Sequence, residues 1–447
     1  MKKNLFMLAA VALMSFTACN KEEVSVENPV DNQTPATVVE FTASFATTKT
    51  ALDNTGAKTL WVESDRIDIN GQEFKIKELI DGGLSAKFEN VNDLPGDFAA
   101  PFTATYPYGV TEVPAAQTAK AGTFDPAAVL ETAESDDYTL SFKNVTSLLK
   151  FQVAKACETV TITSSDALAG SSAKTVTVTG PFVTGKTYYA AVLPGKKADF
   201  VVRMDGYLSK NAASVTVGES TIANMGTLPA PVESSMELRG DAPLSWESGK
   251  KFYEDIDCVV LKNVSFTASQ GFKFMKNSST WLQGNVDEGK WAVIKENGDN
   301  MKISAGNYDI YITKTFKVAR IVPAGSPTPE VVKPQPDYMY LLPSDNWLEA
   351  NAHFTAWLWK DNGSGKLYNF KENEDVLGLY QVKLNGANKM ILFRMGPEKQ
   401  YKDGSASWPG DDQWYKSGDI NIGSNNLYTV INWHDVGSGV SKVDTLL

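Results

Sequence analysis

Apolar and polar residues alternate with a period of two in short runs spread along the chain. In residues 159–163 the apolar positions are Val160 and Ile162; in 175–179 they are Val176 and Val178. Successive side chains of a strand point to opposite faces, so each run can bury one face and wet the other. Clusters of Gly, Asn, Asp and Pro separate the runs at intervals of about eight to twelve residues, the rhythm of small all-β sandwiches. Outside the N-terminal leader, helical periodicity is confined to residues 126–134, about two turns. The predicted fold class is therefore all-β, a multi-domain chain of small β-sandwiches. Within it, residues 353–359 are the most informative run. Phe354, Ala356 and Leu358 share a face suited to a core, and His353, Thr355, Trp357 and Trp359 share the other. Two indoles opposite an apolar face predict either a ligand surface or a surface covered by a loop. Similarly Phe272 and Phe274 point inward and Lys273 outward, and Trp281 follows Asn277, Ser278, Ser279 and Thr280 in a loop-like setting.

Composition sharpens this picture. At 447 residues and 48.6 kDa the chain has room for three domains or more, and 43% hydrophobic residues supply real cores. Fifty-three acids against 42 bases give a net charge of −11, which leaves no electrostatic footprint for nucleic acid. Two histidines and three cysteines are poor material for a metal centre, and no metal or cofactor is expected. The sequence lacks a Gly-x-Ser-x-Gly elbow, a His-Glu-x-x-His pair and a Gly-rich phosphate loop, so no enzyme is expected either. Cys157 and Cys258 read as small buried thiols, with a disulfide as the alternative in an exported protein. Trp61 is the only tryptophan before residue 240, and the other nine lie between Trp246 and Trp433. Of these, Trp408 and Trp414 fall in a Gly/Ser/Asp-rich loop and read as candidate ligand walls; Trp61, Trp291, Trp347 and Trp433 read as structural.

The N-terminus reads as a leader. Lys2 and Lys3 precede ten apolar residues, 5–14, too few to span a bilayer as a helix. Small residues then lead to Cys19, which looks like a lipoprotein processing site, the alternative being an ordinary cleavable signal with a coincidental cysteine. Asn20, Lys21, Glu22 and Glu23 resemble the export signal that sends lipoproteins of one Gram-negative phylum to the outer face of the outer membrane. The expected location is that membrane, lipid-anchored and facing outward. Removing residues 1–18 takes away two lysines, so the mature charge becomes −11 − 2 = −13.

Further motifs carry resemblances to known families. Phe41-Thr-Ala-Ser-Phe45, Leu60 to Ile69, Leu149-Lys-Phe-Gln-Val153, Tyr188 to Pro194 and Asn224-Met-Gly-Thr-Leu228 together resemble fimbrillin-family lipoproteins. That resemblance implies two transthyretin-like or immunoglobulin-like sandwiches, at 38–137 and 138–231, after a signal at 1–18 and a tether at 19–37. Some members of that family polymerise after cleavage beside a basic residue, which here would be Lys49. Met236 to Asp241, Gln270 to Phe274, Thr280 to Gly284 and Ala305 to Tyr311 look like a SusE/SusF-type starch-binding repeat, at 235–322. A Pro-rich linker at 323–336, five prolines in fourteen residues, is expected to hold its neighbours apart. Residues 337–447, with Tyr340 to Trp347, Ala352 to Trp359, Met390 to Met395 and Trp408-Pro-Gly410, are similar to starch-binding carbohydrate modules.

A sugar ring offers apolar C–H faces and a rim of hydroxyls, so an exposed indole with amide and ammonium groups around it is a suitable partner. Base–aromatic stacking contributes about 1–3 kcal/mol per ring, and sugar stacking is of similar order or less. The expected function is capture of polysaccharide, α-glucan favoured, by a non-catalytic surface lipoprotein. The candidate contacts are His353, Trp357, Trp359, Trp408, Trp414, Trp281 and Lys273, with the outer membrane and a surface transporter or amylase as partners. The alternative is a fimbrial or adhesion subunit with an aromatic-rich C-terminal tip. A third reading has the aromatics serving protein contacts alone.

Overall fold

The computed structural model describes residues 38–45, 60–296, 298–315, 317–361, 363–398, 401–410, 413–422, 427–429 and 440–441. The tether and Cys19, Lys21, Glu22, Glu23, Lys49 and Trp433 lie outside the described residues. The chain is all-β, as expected. Its first seven-stranded sheet closes on itself, a sandwich with its edges joined. Closure comes from the parallel pairing of Glu40–Phe45 with Thr139–Asn144, where Thr42 faces Thr139 and Phe45 faces Phe142. Inside lie Phe41, Phe74, Phe88, Phe102 and Phe142 around Trp61, whose ring stacks on Phe45 at 4.2 Å. Trp61 is a packing residue.

The two-turn helix expected at 126–134 is absent. Pro126–Ala128 forms one 3-10 turn, capped by the Asp125 carboxylate accepting from the Ala127 amide, and Glu131–Ser135 is a strand. That strand pairs with Phe102–Tyr106 on one side and Thr139–Asn144 on the other. A two-turn helix is marginal in water, and two hydrogen-bonded ladders outweigh it. The same stretch also crosses between cores. Ala116–Thr118 joins the next five-stranded sheet beside Thr175–Phe182, and Val113, Ala128, Val129 and Leu130 pack in that second core. A three-stranded sheet centred on Ser147–Val153 covers the five-stranded one. Cys157 is buried here and Cys258 in the next unit, both as free thiols. Burial pushes each up to about 12, out of reach of nucleophilic chemistry.

The sheet of the third unit runs from Thr280–Gly284 through Phe272–Lys276, Glu233–Gly240, Lys250–Glu254, Cys258–Phe266, Gly306–Thr313 and Val318–Pro323 to Trp291–Lys295. It curls back because Thr280–Gly284 also pairs with Trp291–Lys295. Its junction with the second unit is polar and enclosed. Arg203 grips the Asp255 carboxylate with both terminal nitrogens, Tyr207 lies against Tyr253 at 4.3 Å, and the Lys262 amide donates to the Tyr207 hydroxyl.

The Pro-rich linker does not hold the third and fourth units apart. Val331 and Val332 pack into a shared core that joins Cys258, Val260, Trp291, Tyr311 and Val318 to Tyr340, Val376, Leu379 and Leu427. The Trp291 indole donates to the Glu330 carbonyl at 3.1 Å, and Val376–Leu377 adds to the third unit's sheet beside Trp291. An extended Pro-rich strand has no internal hydrogen bonds, so its carbonyls remain available to neighbours. The fourth unit packs two five-stranded sheets over Met339, Leu341, Trp347, Phe354, Ala356 and Leu358.

Candidate carbohydrate-binding clefts

In the third unit Phe274 pairs with Leu282 and Met275 with Trp281. Phe272, Phe274 and Leu282 face the core, so Lys273 and Trp281 share the outer face. Trp281 therefore sits on the strand Thr280–Gly284 and not in a loop, because its neighbours complete a ladder that the preceding Ser and Asn residues only turn into. Trp246 reaches the same face from the turn after Glu233–Gly240. Its indole nitrogen donates to Asp241 Oδ1 at 2.9 Å, and Asp241 Oδ2 accepts from the Gly271 amide at 2.8 Å. Arg239 bonds the Trp246 carbonyl at 2.9 Å while its guanidinium rests on the buried Glu237 carboxylate, which Lys251 also contacts. The Lys251 contact, with Arg239, holds the Glu237 carboxyl below its usual range despite burial.

These supports bring the two indoles to 5.8 Å at 60° to one another. With Lys273, Gln283 and Asn300 they line a cleft of about 240 Å³. Two half-buried rings meeting at an angle, rimmed by an ammonium and two amides, match the needs of a sugar: apolar faces for the ring and donors and acceptors for the hydroxyls. The sequence pattern does not single out Trp246, Gln283 or Asn300 as contacts, since their partners lie on other strands and loops.

Asp241 is held below its ordinary value, first by the Trp246 indole and then by the Gly271 amide. A depressed carboxyl contributes its stabilisation above the unfolded value and loses it as pH falls through the folded one. Protection of the 241–249 amides from hydrogen exchange, relative to unstructured chain at the same pH, is therefore expected to hold at neutral pH and to fall only below about pH 3.8. Asp241→Asn, which cannot accept twice in the same way, should show the fast exchange already at pH 7. Equal protection in both proteins would rule out this carboxylate as the clamp.

The fourth unit treats its candidates differently. Phe354, Ala356 and Leu358 are buried in the core as the period predicts. On the opposite face Thr355 is fully buried, and His353, Trp357 and Trp359 are half-buried. Trp357 and Trp359 pack with Leu367, Ile391, Phe393, Met395 and Tyr401 in a separate apolar cluster. Trp408 caps that cluster edge-on, 5.2 Å from Trp357 and 5.3 Å from Phe393, and is itself 42% exposed. His353 stands at the start of its strand opposite Met395.

Trp414, read as a loop residue, lies on the strand Gln413–Lys416 and is 48% exposed. The Arg394 guanidinium lies 4.7 Å from its ring. Arg394 is 1% exposed, and three carbonyls hold it: Trp347 at 3.0 Å, Glu349 at 2.9 Å and Asn346 at 3.3 Å. Gly396 lets the ring lie close, since a Cβ there would come within 2.6 Å of Trp414 Cζ2. A ring held from beneath by a fixed cation and half open to solvent is a preformed platform. Among the described residues no group of three or more His, Cys, Asp and Glu is placed to hold a metal ion.

No known family profile matches the sequence, and no curated protein does. Solved structures overlap only weakly. A candidate cell adhesion protein from Bacteroides uniformis is 15% identical over 49% of this chain and 98% of its own, with a TM-score of 0.24. BcpA, the major pilin subunit of Bacillus cereus, is 10% identical over 66% of this chain and 99% of its own, at 0.15. SpuA, a multi-modular glycogen-degrading pneumococcal virulence factor, is 8% identical over 80% of this chain and 37% of its own, also at 0.15.

Proposed function

We propose that this chain is a non-catalytic cell-surface binding protein whose C-terminal half recognises carbohydrate. The observation that carries the reading is the cleft of Trp246 and Trp281 with Lys273, Gln283 and Asn300 on its rim. The outward platform of Trp414, with Trp408 on the same unit, supports a second contact. The N-terminal units would act as a spacer above an outer-membrane lipid anchor at Cys19. Preference for α-glucan, and service to a surface transporter or amylase, rest on the motif resemblances alone. Two stacked rings of up to about 3 kcal/mol each imply binding no tighter than about tens of micromolar.

The second reading is a fimbrial or adhesion subunit, the direction in which the names of the Bacteroides uniformis and Bacillus cereus proteins point. The two readings coincide if the adhesion target is a glycan. They part in one experiment: electrophoresis of the mature chain through gels carrying starch, pullulan, dextran or xylan, beside the Trp246→Ala/Trp281→Ala protein. Retardation that the double substitution reduces by about tenfold or more in affinity is the expected result. Normal mobility in all four gels, together with high-mass assemblies of the extracted protein, would instead favour the fimbrial subunit.

A further inference from the structure

Trp414 and Lys416 leave the strand Gln413–Lys416 on its outer side, because Tyr415 between them packs against the core of the fourth unit. Same-face positions two apart on a strand are separated by about 7 Å, so Lys416 stands beside Trp414 on the open side of the sheet. Its ammonium also lies 5.6 Å from the centre of the Trp408 ring, within cation–π range. Among the described residues the exposed Lys416 has no carboxylate at ion-pair distance, whereas Lys389 on the neighbouring strand is paired with Asp361 at 2.9 Å. Asp403, on the loop that carries Trp408, accepts from the backbone and side-chain amides of Asn369, and Asp411 and Asp412 lie outside the described residues.

A second cation acts from below. An indole face carries the negative side of a quadrupole and repels anions. The Arg394 guanidinium, 4.7 Å from Trp414 and 1% exposed, offsets that charge from the buried side. The open face of Trp414 is thus less repellent to an anion than a bare indole, and an ammonium stands next to it.

Resting on the carbohydrate reading above, we infer that the fourth unit's platform takes an acidic sugar: the pyranose ring stacks on Trp414, and its carboxylate or sulfate group binds the Lys416 ammonium. A neutral sugar can stack in the same place but forms no ion pair. The net charge of −11 opposes a polyanion as a whole, so the attraction is local to this ammonium and weakens with salt.

The test uses the full mature chain carrying Trp246→Ala/Trp281→Ala, which silences the third unit's cleft. Affinity is measured for two matched pairs, polygalacturonate against its methyl ester and dextran sulfate against dextran. The first pair carries its charge as carboxylate and the second as sulfate. At low salt at least one charged polymer is expected to bind about fivefold more tightly than its neutral counterpart, and added salt should shrink the difference. Lys416→Gln should bring the ratio near one, and Lys416→Arg, which keeps the charge, should preserve it. Repulsion from the rest of the chain is common to all these proteins, so the comparison isolates Lys416. A ratio near one in both pairs, or one that Lys416→Gln leaves unchanged, overturns the inference, and carbohydrate binding stands if the unsubstituted protein still binds a neutral polymer. Absence of binding to every polymer by the unsubstituted protein overturns both.

Discussion

Replacing Glu131 with methionine is expected to stabilise the N-terminal barrel by about 3 kcal/mol at pH 7. Glu131 is 2% exposed, its Oε2 has no partner, and the Asp65 carboxyl lies near enough to oppose its ionisation. Burial first, and Asp65 second, push it up to about 8 from an ordinary 4.5. A carboxyl raised on folding contributes its stability in full below the unfolded value. That contribution is lost as pH climbs towards the folded one, here between 4.5 and about 8. At pH 7 the loss covers about 2.5 units at 1.36 kcal/mol each. Methionine has similar length and nothing to ionise, and Glu131→Gln separates charge from burial. The measurement is hydrogen exchange of Glu131–Ser135 in the full chain from pH 5 to 8, which isolates this unit from the other three. Wild-type protection should fall across that range while both variants stay flat. Parallel slopes in all three proteins would mean that Glu131 is ionised in the fold.

Arg394→Ala is expected to cost about 3–5 kcal/mol and to remove the floor beneath Trp414. Three carbonyls, of Asn346, Trp347 and Glu349, depend on one planar guanidinium, and that of Trp347 would be left buried without its donor. Lysine cannot replace it, because a single ammonium does not reproduce the fork, so Arg394→Lys should lose most of the same stability. Chemical unfolding read by exchange of Lys389–Met395 measures the loss. Gly396→Ala asks the narrower question, since it lifts the Trp414 ring without touching the buried cation. It should lower glycan retardation with little change in unfolding. If Arg394→Lys matched the parent in stability, the guanidinium would not be the support described.

The period of two was enough to place the strands and their inner faces in residues 159–163, 272–276 and 353–359. Each placement depends only on local alternation, and burial enforces it, because slipping one residue would put Phe354, Ala356 and Leu358 in water. The outer faces were less legible. The same alternation leaves Trp357 and Trp359 opposite the core, but the chain that covers them, through Tyr401 and Trp408, returns about fifty residues later. Residues 126–134 carry a weak helical pattern, and only the strands on either side of Glu131–Ser135 turn it into sheet.

By itself, then, the sequence determined an all-β chain, the inward face of each strand, two buried thiols and an excess of aromatic surface in the C-terminal half. These follow from side-chain alternation and composition, which are local. Tertiary structure alone decided that Trp246 and Trp281 would meet, that the Lys416 ammonium would lie over Trp408, and that the proline-rich segment would become part of a core. It also decided that Glu131 would be buried. The physical reason is the same in each case: which side chains become neighbours depends on the register between strands distant in sequence, and no local pattern encodes the charge, solvent access or hydrogen-bond partner that such a neighbour supplies.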